Sequence, residues 1–215
     1  MDWEASFLLY IQEHIRTDFL NPFMTALTHT GDYGIFLIAL AVLLLIIPKT
    51  RRIGLIAGIS IAIEALLTNV FIKNAVARTR PYEAIDGLVN LIEKQKDYSF
   101  PSGHSGAAFA VMGAILVIAI LGLPVAEKSG KITRTKMSTA YKIVAVIAII
   151  YAIALAFSRL YVGVHYPTDV LGGILLGIAT SFASYFIYRA ILKVYAQKKA
   201  NANYTGLSHS EQALF

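Results

Sequence analysis

Three short polar groups stand out in a chain that is otherwise strongly apolar. They are Lys73-x6-Arg80-Pro81, Pro101-Ser-Gly-His104 and Ser158-Arg159-x5-His165-x3-Asp169. Together they hold two histidines, one aspartate and three cations beside a glycine-containing turn. Because histidine gains or loses a proton close to neutral pH, these groups can support nucleophilic or acid–base chemistry.

The second group reads as the N-terminus of a long apolar helix. Free backbone N–H groups and the positive end of the helix dipole make such a turn a good anion site. Gly103 lets a ligand approach the backbone closely. Taken alone, a Ser-Gly-His turn is more often a simple helix cap, so a functional interpretation requires that the other groups meet it in space.

The third group pairs a histidine with a carboxylate. His165 and Asp169 are four residues apart, and Pro167 favours the first turn of a helix there. At this spacing the carboxylate can accept from one imidazole nitrogen and leave the other as a nucleophile or base. His104 has no evident carboxylate partner, so we expect it to stay protonated and act as an acid. A lone His-x-x-x-Asp pair is more often structural.

The charge balance of the three groups favours a polyanionic ligand. A metal site would need several converging histidine and carboxylate ligands, whereas cations outnumber anions here, and phosphate fits them well. His165, backed by Asp169, would attack phosphorus, and His104 would protonate the leaving oxygen. The groups expected to neutralise the phosphate oxygens are Lys73, Arg80, Arg159, the Ser102 hydroxyl and the Gly103 amide.

The elements that must position these groups are membrane helices. Of 215 residues, 57% are hydrophobic and only 15% are charged, and the mean hydropathy is +0.63. We therefore predict an all-α polytopic bundle in one domain, 1–197, followed by a polar cytoplasmic tail, 198–215. Five spans are predicted near residues 33–47, 53–73, 105–123, 143–160 and 170–192. Residues 1–31 are predicted as interfacial helices, with Trp3, Phe7, Tyr10, Ile11 and His14 on the apolar face of the first.

Basic residues predict the orientation of this bundle. Twelve of the 19 Lys and Arg residues fall in the loop near residue 50, the basic loop 124–142 and the C-terminal end. By the positive-inside tendency these segments are cytoplasmic. The three polar groups then gather at the outer face, and the net charge of +6 needs no nucleic acid to explain it. Glu64 in mid-span must face the bundle interior, and a packing role is preferred over a catalytic one.

The three groups, in this order, resemble the motifs of the type 2 phosphatidic acid phosphatase superfamily over roughly residues 50–190. The resemblance implies that His165 is the nucleophile that forms a phosphohistidine, that Asp169 orients it, and that His104 is the general acid. It assigns phosphate binding to Lys73, Arg80, Ser102, Gly103 and Arg159. It further implies no metal or other cofactor and an active site at the outer membrane face. Many members have six spans, so the N-terminal arrangement departs from the family pattern.

The membrane setting favours a lipid phosphate as substrate. The preferred reaction is undecaprenyl pyrophosphate to undecaprenyl phosphate, and phosphatidylglycerophosphate, phosphatidate and diacylglycerol pyrophosphate are alternatives that bind through the same phosphate. A lipid transporter would instead show broken helices and mid-membrane sites. A vanadium haloperoxidase shares the anion site but is soluble, and an inactive phosphate-binding relative is the remaining alternative.

Overall fold

The computed structural model describes the backbone of residues 3–127 and 129–212, and side chains as far as residue 201 apart from Lys128. The described chain is mainly helical, as predicted. Its elements are α1 Trp3–Tyr10, a π-helix Ile11–Ile15, α2 Leu20–His29, a 3-10 turn Asp32–Gly34, α3 Ile35–Ile46, α4 Arg51–Leu66, a π-helix Leu67–Ile72, α5 Lys73–Val76, α6 Pro81–Ala84, α7 Gly103–Leu121, β1 Leu123–Ala126, β2 Ile132–Thr135, α8 Thr139–Tyr161 and α9 Pro167–Gln212. Residues 1–2 of the predicted interfacial segment and 213–215 of the predicted tail lie outside the described residues.

Helix length and composition agree with a five-span bundle. Within the described residues, the stretches Arg51–Ala84, Gly103–Leu121, Thr139–Tyr161 and Pro167–Asn201 are long and apolar enough to cross a membrane. With 12 residues, α3 alone is short for a span. Together α2 and α3 pass as one span that is bent by 45°. The bend places residues 28–32 beside the polar end of the bundle, where they become part of the site.

Helix α7 is the centre of the bundle and packs against α4, α8 and α9. Small residues bring the backbones of α7 and α9 together. A methyl group on Gly173 would lie 2.4 Å from the Ser102 carbonyl oxygen, and one on Gly177 would lie 2.4 Å from that of Gly106. The Gly173-x-x-x-Gly177 spacing predicts such a close approach. This contact sets the distance of the last span from α7, and with it the distance between the second and third polar groups.

Glu64 is buried in the bundle, as expected for a mid-span carboxylate. Its Oε1 accepts a hydrogen bond of 2.6 Å from Thr68 Oγ1. A methyl group on Gly106 would lie 2.0 Å from that same oxygen, so α4 and α7 touch at this point. These contacts agree with the predicted packing role.

Helix α1 packs on protein with one side and exposes the other. Trp3, Phe7 and Tyr10 are exposed, in line with an interfacial helix. Ile11, which the sequence groups with them, is instead buried among Tyr161 and its neighbours. The reason is that the chain passes from an α-helix to a π-helix at this residue, which changes the direction of the side chains that follow.

The basic connection 124–142 is not a simple loop. Leu123–Ala126 and Ile132–Thr135 form an antiparallel hairpin. Tyr185 of α9 donates a hydrogen bond of 2.9 Å to the Gly122 carbonyl, which ties the start of the hairpin to the bundle. Lys128 in this connection lies outside the described residues. The division into a domain, 1–197, and a tail stays a prediction, and α9 itself continues as far as Gln212.

Candidate functional site

The three polar groups meet at one end of the bundle. Lys73 begins α5, His104 lies in the first turn of α7, Arg159 lies in the last turn of α8, and Asp169 lies in the first turn of α9. A methyl group on Gly103 would lie 3.8 Å from Lys73 Nζ, so the first group touches the second. The N–H of Ser102 donates to the Asp169 carbonyl oxygen at 3.0 Å, so the second touches the third.

His165 and Asp169 are neighbours, as their spacing predicts, and the Ser99 hydroxyl lies beside both. The distance from His165 Nδ1 to Asp169 Oδ2 is 3.6 Å, which is long for a direct hydrogen bond. Ser99 Oγ donates to Asp169 Oδ2 at 2.5 Å and is 3.5 Å from His165 Nδ1. The N–H of Tyr166 donates to the same carboxylate oxygen at 2.9 Å. Asp169 thus holds the turn that carries His165 as well as facing its ring.

His165 is neutral in this environment. Burial lowers its pKa to about 3, and the charges of Arg80 and Arg159 act in the same direction, although Asp169 opposes them. Its Nε2 lies 3.3 Å from Nη1 of Arg80. Because a guanidinium group has only donors, the nitrogen that faces it carries the lone pair. We assign the proton to Nδ1, on the Ser99 and Asp169 side.

Lys73 and Arg80 are both buried and share one carboxylate, Asp97. Lys73 Nζ forms an ion pair with Asp97 Oδ2, and Arg80 Nη2 donates to Oδ1 at 2.6 Å. Burial raises the pKa of Asp97, but its contacts with the two cations outweigh this and lower the pKa to about 2. Asp97 belongs to none of the three polar groups. Its position seven residues before His104, in the connection between α6 and α7, is the only signal that the sequence offers.

Arg159 is 1% exposed, and its Nη1 donates a hydrogen bond to Thr28 Oγ1 at 2.6 Å. Its buried Nε has no hydrogen-bond partner in the part of the chain that the structure describes. A buried donor without an acceptor is costly. An anion held next to Arg159 would satisfy it.

The α7 N-terminus is capped by Ser102. Its Oγ accepts from Ser105 N at 3.4 Å and from Ser105 Oγ at 3.0 Å. The hydroxyl therefore serves the helix cap as an acceptor and keeps its own proton to donate to an anion. Lys73 Nζ near Gly103 adds a positive charge to the positive end of this helix.

The expectation that His104 lacks a carboxylate partner is wrong. Its Nε2 is 3.0 Å from Asp32 Oδ1, and the other oxygen of Asp32 is 2.7 Å from His29 Nδ1. Asp32 reaches His104 because the chain bends between α2 and α3. A methyl group on Gly31, in that bend, would lie 2.5 Å from the His104 ring, so the glycine is needed for this contact. The sequence carries no spacing signal for a contact across 72 residues.

Two further charged residues complete the surroundings of Asp169. Arg78 Nη1 donates to Asp169 Oδ1 at 2.6 Å, and Arg78 Nη2 donates to Glu4 Oε2 at 2.6 Å. Arg78 lies inside the first group, two residues before Arg80, and this proximity was the signal available in the sequence. Glu4 lies far away in the chain and offers no such signal.

Residues 53–193 match the PAP2 superfamily, a stretch that holds all three groups. An undecaprenyl-diphosphatase of Sulfolobus acidocaldarius is 35% identical over 165 residues, covering 77% of this chain and 69% of that protein. Phosphatidylglycerophosphatase B of Bacillus subtilis is 34% identical over 171 residues, covering 78% of this chain and 75% of that protein.

The fold agrees with these matches. A crystal structure of a transmembrane PAP2 type phosphatidylglycerolphosphate phosphatase from Bacillus subtilis aligns with a TM-score of 0.66 and 28% sequence identity. The alignment covers 87% of this chain and 85% of that one. Sequence, fold and the convergence of the three groups lead to one conclusion: this chain is a member of the PAP2 superfamily.

Proposed function

We propose that this protein converts undecaprenyl diphosphate to undecaprenyl phosphate through a phosphohistidine on His165. Family membership makes the chain a membrane hydrolase that acts on phosphate esters. The proposal adds the intermediate and the substrate. The observation that carries it is the buried imidazole whose Nε2 faces Arg80 at 3.3 Å, beside the further buried cations Lys73 and Arg159.

In the first step, Nε2 of His165 attacks the terminal phosphorus. The bond from this phosphorus to the bridging oxygen breaks, and undecaprenyl phosphate leaves. Lys73, Arg80 and Arg159 neutralise the three non-bridging oxygens as the charge on them is redistributed. Protonated His104, stabilised by the Asp32 carboxylate, gives its proton to the leaving oxygen.

In the second step, water hydrolyses the phosphohistidine. His104, now neutral, takes a proton from the water, whose oxygen bonds to phosphorus as the P–N bond breaks. Inorganic phosphate leaves, and both histidines return to their starting forms. Asp169 and Ser99 keep the Nδ1 proton of His165 in place, so the same nitrogen is available for each turnover.

The choice of substrate is supported by the chemistry of a prenyl diphosphate and by the names of two relatives. A prenyl chain stays in the bilayer and brings its headgroup to the end of the bundle where the site lies. A relative that is 35% identical is named as an undecaprenyl-diphosphatase. The second candidate is phosphatidylglycerophosphate, because another relative, 34% identical, is a phosphatidylglycerophosphatase. The distribution of basic residues favours the outer face for the site and the cytoplasm for the C-terminus.

The test is phosphate release by detergent-purified protein in the presence of EDTA. The panel contains undecaprenyl diphosphate, phosphatidylglycerophosphate, phosphatidate and a soluble phosphate ester, with wild type and His165→Ala. We expect release mainly from undecaprenyl diphosphate and none with the variant. Substantial activity of His165→Ala would remove the nucleophile assignment, and loss of wild-type activity in EDTA would contradict the predicted independence of metal.

The intermediate is tested separately. Brief reaction with substrate labelled in the terminal phosphate, followed by denaturation in alkali, should leave label on wild-type protein that acid then releases. Such acid-labile, alkali-stable label is expected of phosphohistidine and should be absent from His165→Ala. Label that survives acid would indicate a different phosphorylated residue.

A further inference from the structure

Glu4 and Arg78 are charged residues that the proposed reaction does not use, yet they lie beside its most buried carboxylate. Glu4 is 5% exposed although it belongs to the first helix of the chain. Arg78 joins it to Asp169. Taking charges out of water is expensive, so a buried carboxylate and a partly buried guanidinium are expected to have a specific role.

Glu4 is fully engaged by the start of α9. Its Oε1 accepts from the N–H of Thr168 at 3.0 Å and from Thr168 Oγ1 at 2.7 Å. Its Oε2 accepts from Arg78 Nη2 at 2.6 Å. Burial raises the pKa of Glu4, but these bonds outweigh it and keep the pKa below its ordinary value. Glu4 is therefore a charged anchor for Thr168 and Arg78.

Arg78 holds both groups that contact Nδ1 of His165. Its Nη1 donates to Asp169 Oδ1 at 2.6 Å and to Thr168 Oγ1 at 2.7 Å. Its carbonyl oxygen accepts from the N–H of Ser99 at 2.9 Å. The guanidinium carbon lies 3.8 Å from the centre of the Tyr166 ring, a cation–π contact with the turn that carries the nucleophile.

Apolar packing seats α1 over the same turn. Leu8 is buried with Leu88 and Tyr166, and Ile11 is buried with Tyr161 and Val162. The N-terminal helix thus approaches the site both through Glu4 and through an apolar contact one turn further on.

We propose that Glu4 and Arg78 are positioning residues for the Asp169–His165 pair, and that the seating of α1 on the turn after α8 is thereby a requirement for turnover. The proposal rests on the proposed function, because it assumes that His165 is the nucleophile. Within the described residues, no hydrogen bond or ion pair joins Glu4 or Arg78 to Lys73, Arg80 or Arg159. The loss of Glu4 or Arg78 should therefore disturb the reaction and leave phosphate binding largely intact.

The experiment compares Glu4→Gln and Arg78→Gln with matched controls Glu13→Gln and Arg51→Gln, whose side chains are exposed. We expect kcat to fall about tenfold or more in the first pair, since small misplacements of a nucleophile cost this much. KM and the inhibition constant of inorganic phosphate should stay within about twofold of wild type. The controls should behave as wild type, and Arg78→Lys should recover part of the lost kcat.

The double variant Glu4→Gln/Arg78→Gln gives a second readout. If Glu4 acts through Arg78, the double variant should be no slower than Arg78→Gln alone. If the losses of kcat in the two single variants multiplied in the double variant, Glu4 would not act through Arg78. A loss of kcat that comes with equal weakening of phosphate inhibition and a lower Tm would show a general structural role instead. Should Glu4→Gln not fold, Thr168→Val removes the shared hydroxyl and keeps both charges, and it should give a smaller loss of the same kind.

His165→Ala, measured alongside, separates the two proposals. If it keeps turnover, the proposed function fails, and the positioning role fails with it. If it is inactive while Glu4→Gln and Arg78→Gln match wild type, only the positioning role is overturned.

Discussion

Ionisable side chains in this site owe their states to neighbours that are distant in sequence. His165 is neutral because it is buried beside Arg80 and Arg159. Asp97 is charged because Lys73 and Arg80 hold it. His104 gains a carboxylate partner from a bend between two other helices. These three relationships give predictions that single substitutions or a pH titration can test.

The lowered pKa of His165 predicts how activity depends on pH. The neutral imidazole is the nucleophile, so activity is lost only as the pH falls through the lowered pKa, about 3, and not near the ordinary value of about 6.5. We expect kcat/KM for 4-nitrophenyl phosphate, whose leaving group needs no proton, to stay level between about pH 6 and pH 8. A loss centred near pH 6.5 would show that His165 titrates normally.

Asp97→Asn should strengthen phosphate binding. In the structure the Asp97 carboxylate engages the same two cations that we assign to the substrate. Removing its charge should lower the inhibition constant of inorganic phosphate by about threefold or more. Asp86→Asn, on an exposed residue of the same connection, is the matched control. A higher inhibition constant would mean that Asp97 mainly holds Lys73 and Arg80 in place.

Asp32→Asn should affect only reactions that need a general acid. Its carboxylate stabilises protonated His104, which a poor leaving group requires. We expect kcat/KM for dodecyl phosphate to fall about tenfold or more, and kcat/KM for 4-nitrophenyl phosphate to change by less than about twofold. Asp18→Asn, at an exposed turn, serves as control. Equal losses with both substrates would contradict the acid role of His104.

At the level of elements, the site residues lie at helix ends, and glycines set the distance between the helices. The start of α7 and the start of α9 lie side by side because Gly173 and Gly177 let the two helices touch. The N–H of Ser102 then reaches the Asp169 carbonyl. If α7 and α9 lay further apart, the phosphate-binding turn would no longer lie beside the nucleophile.

Gly177→Ala should therefore destabilise the protein and reduce its activity. The added methyl group would lie 2.4 Å from the Gly106 carbonyl oxygen, so α9 must move away from α7. Overpacking of this kind costs about 1–3 kcal/mol, and we expect a lower Tm in detergent. Gly58→Ala is the control, because a methyl group there has no neighbour within 4 Å. An unchanged Tm for Gly177→Ala would show that the helix contact is not tight.

At the level of the whole molecule, the site occupies one end of the bundle and most basic residues occupy the loops at the other. Lys73, His104 and His165 mark the first end. The loop between α3 and α4, the hairpin and the end of α9 mark the second. This polarity makes the orientation in the membrane testable with a single experiment.

We expect a cysteine at Lys94 to react with a membrane-impermeant thiol reagent from outside intact cells. A cysteine at Lys131 in the hairpin should react only after the membrane is opened. The natural chain has no cysteines, so each variant reports on one position. Labelling of Lys94→Cys only after opening, with Lys131→Cys labelled in intact cells, would reverse the proposed topology.

The fold class and the residues of the three polar groups could be predicted from the sequence. Both are local features of the chain: apolar runs long enough to cross a bilayer, and histidines and cations at fixed spacings. They can be recognised without knowing how the chain folds. The burial of Glu64 and the close contact of the last span were likewise predictable. A carboxylate in mid-span must face the bundle interior, and small residues mark close helix contacts.

Which further residues contact the predicted ones depends on the tertiary structure. Asp32 reaches His104 through a bend, Asp97 reaches two cations through an irregular connection, and Glu4 reaches Arg78 across 74 residues. No periodicity encodes such contacts, because they depend on the packing of segments that are far apart in the chain. The change to a π-helix at Ile11 and the short hairpin also depended on packing against neighbours, so the local pattern did not predict them.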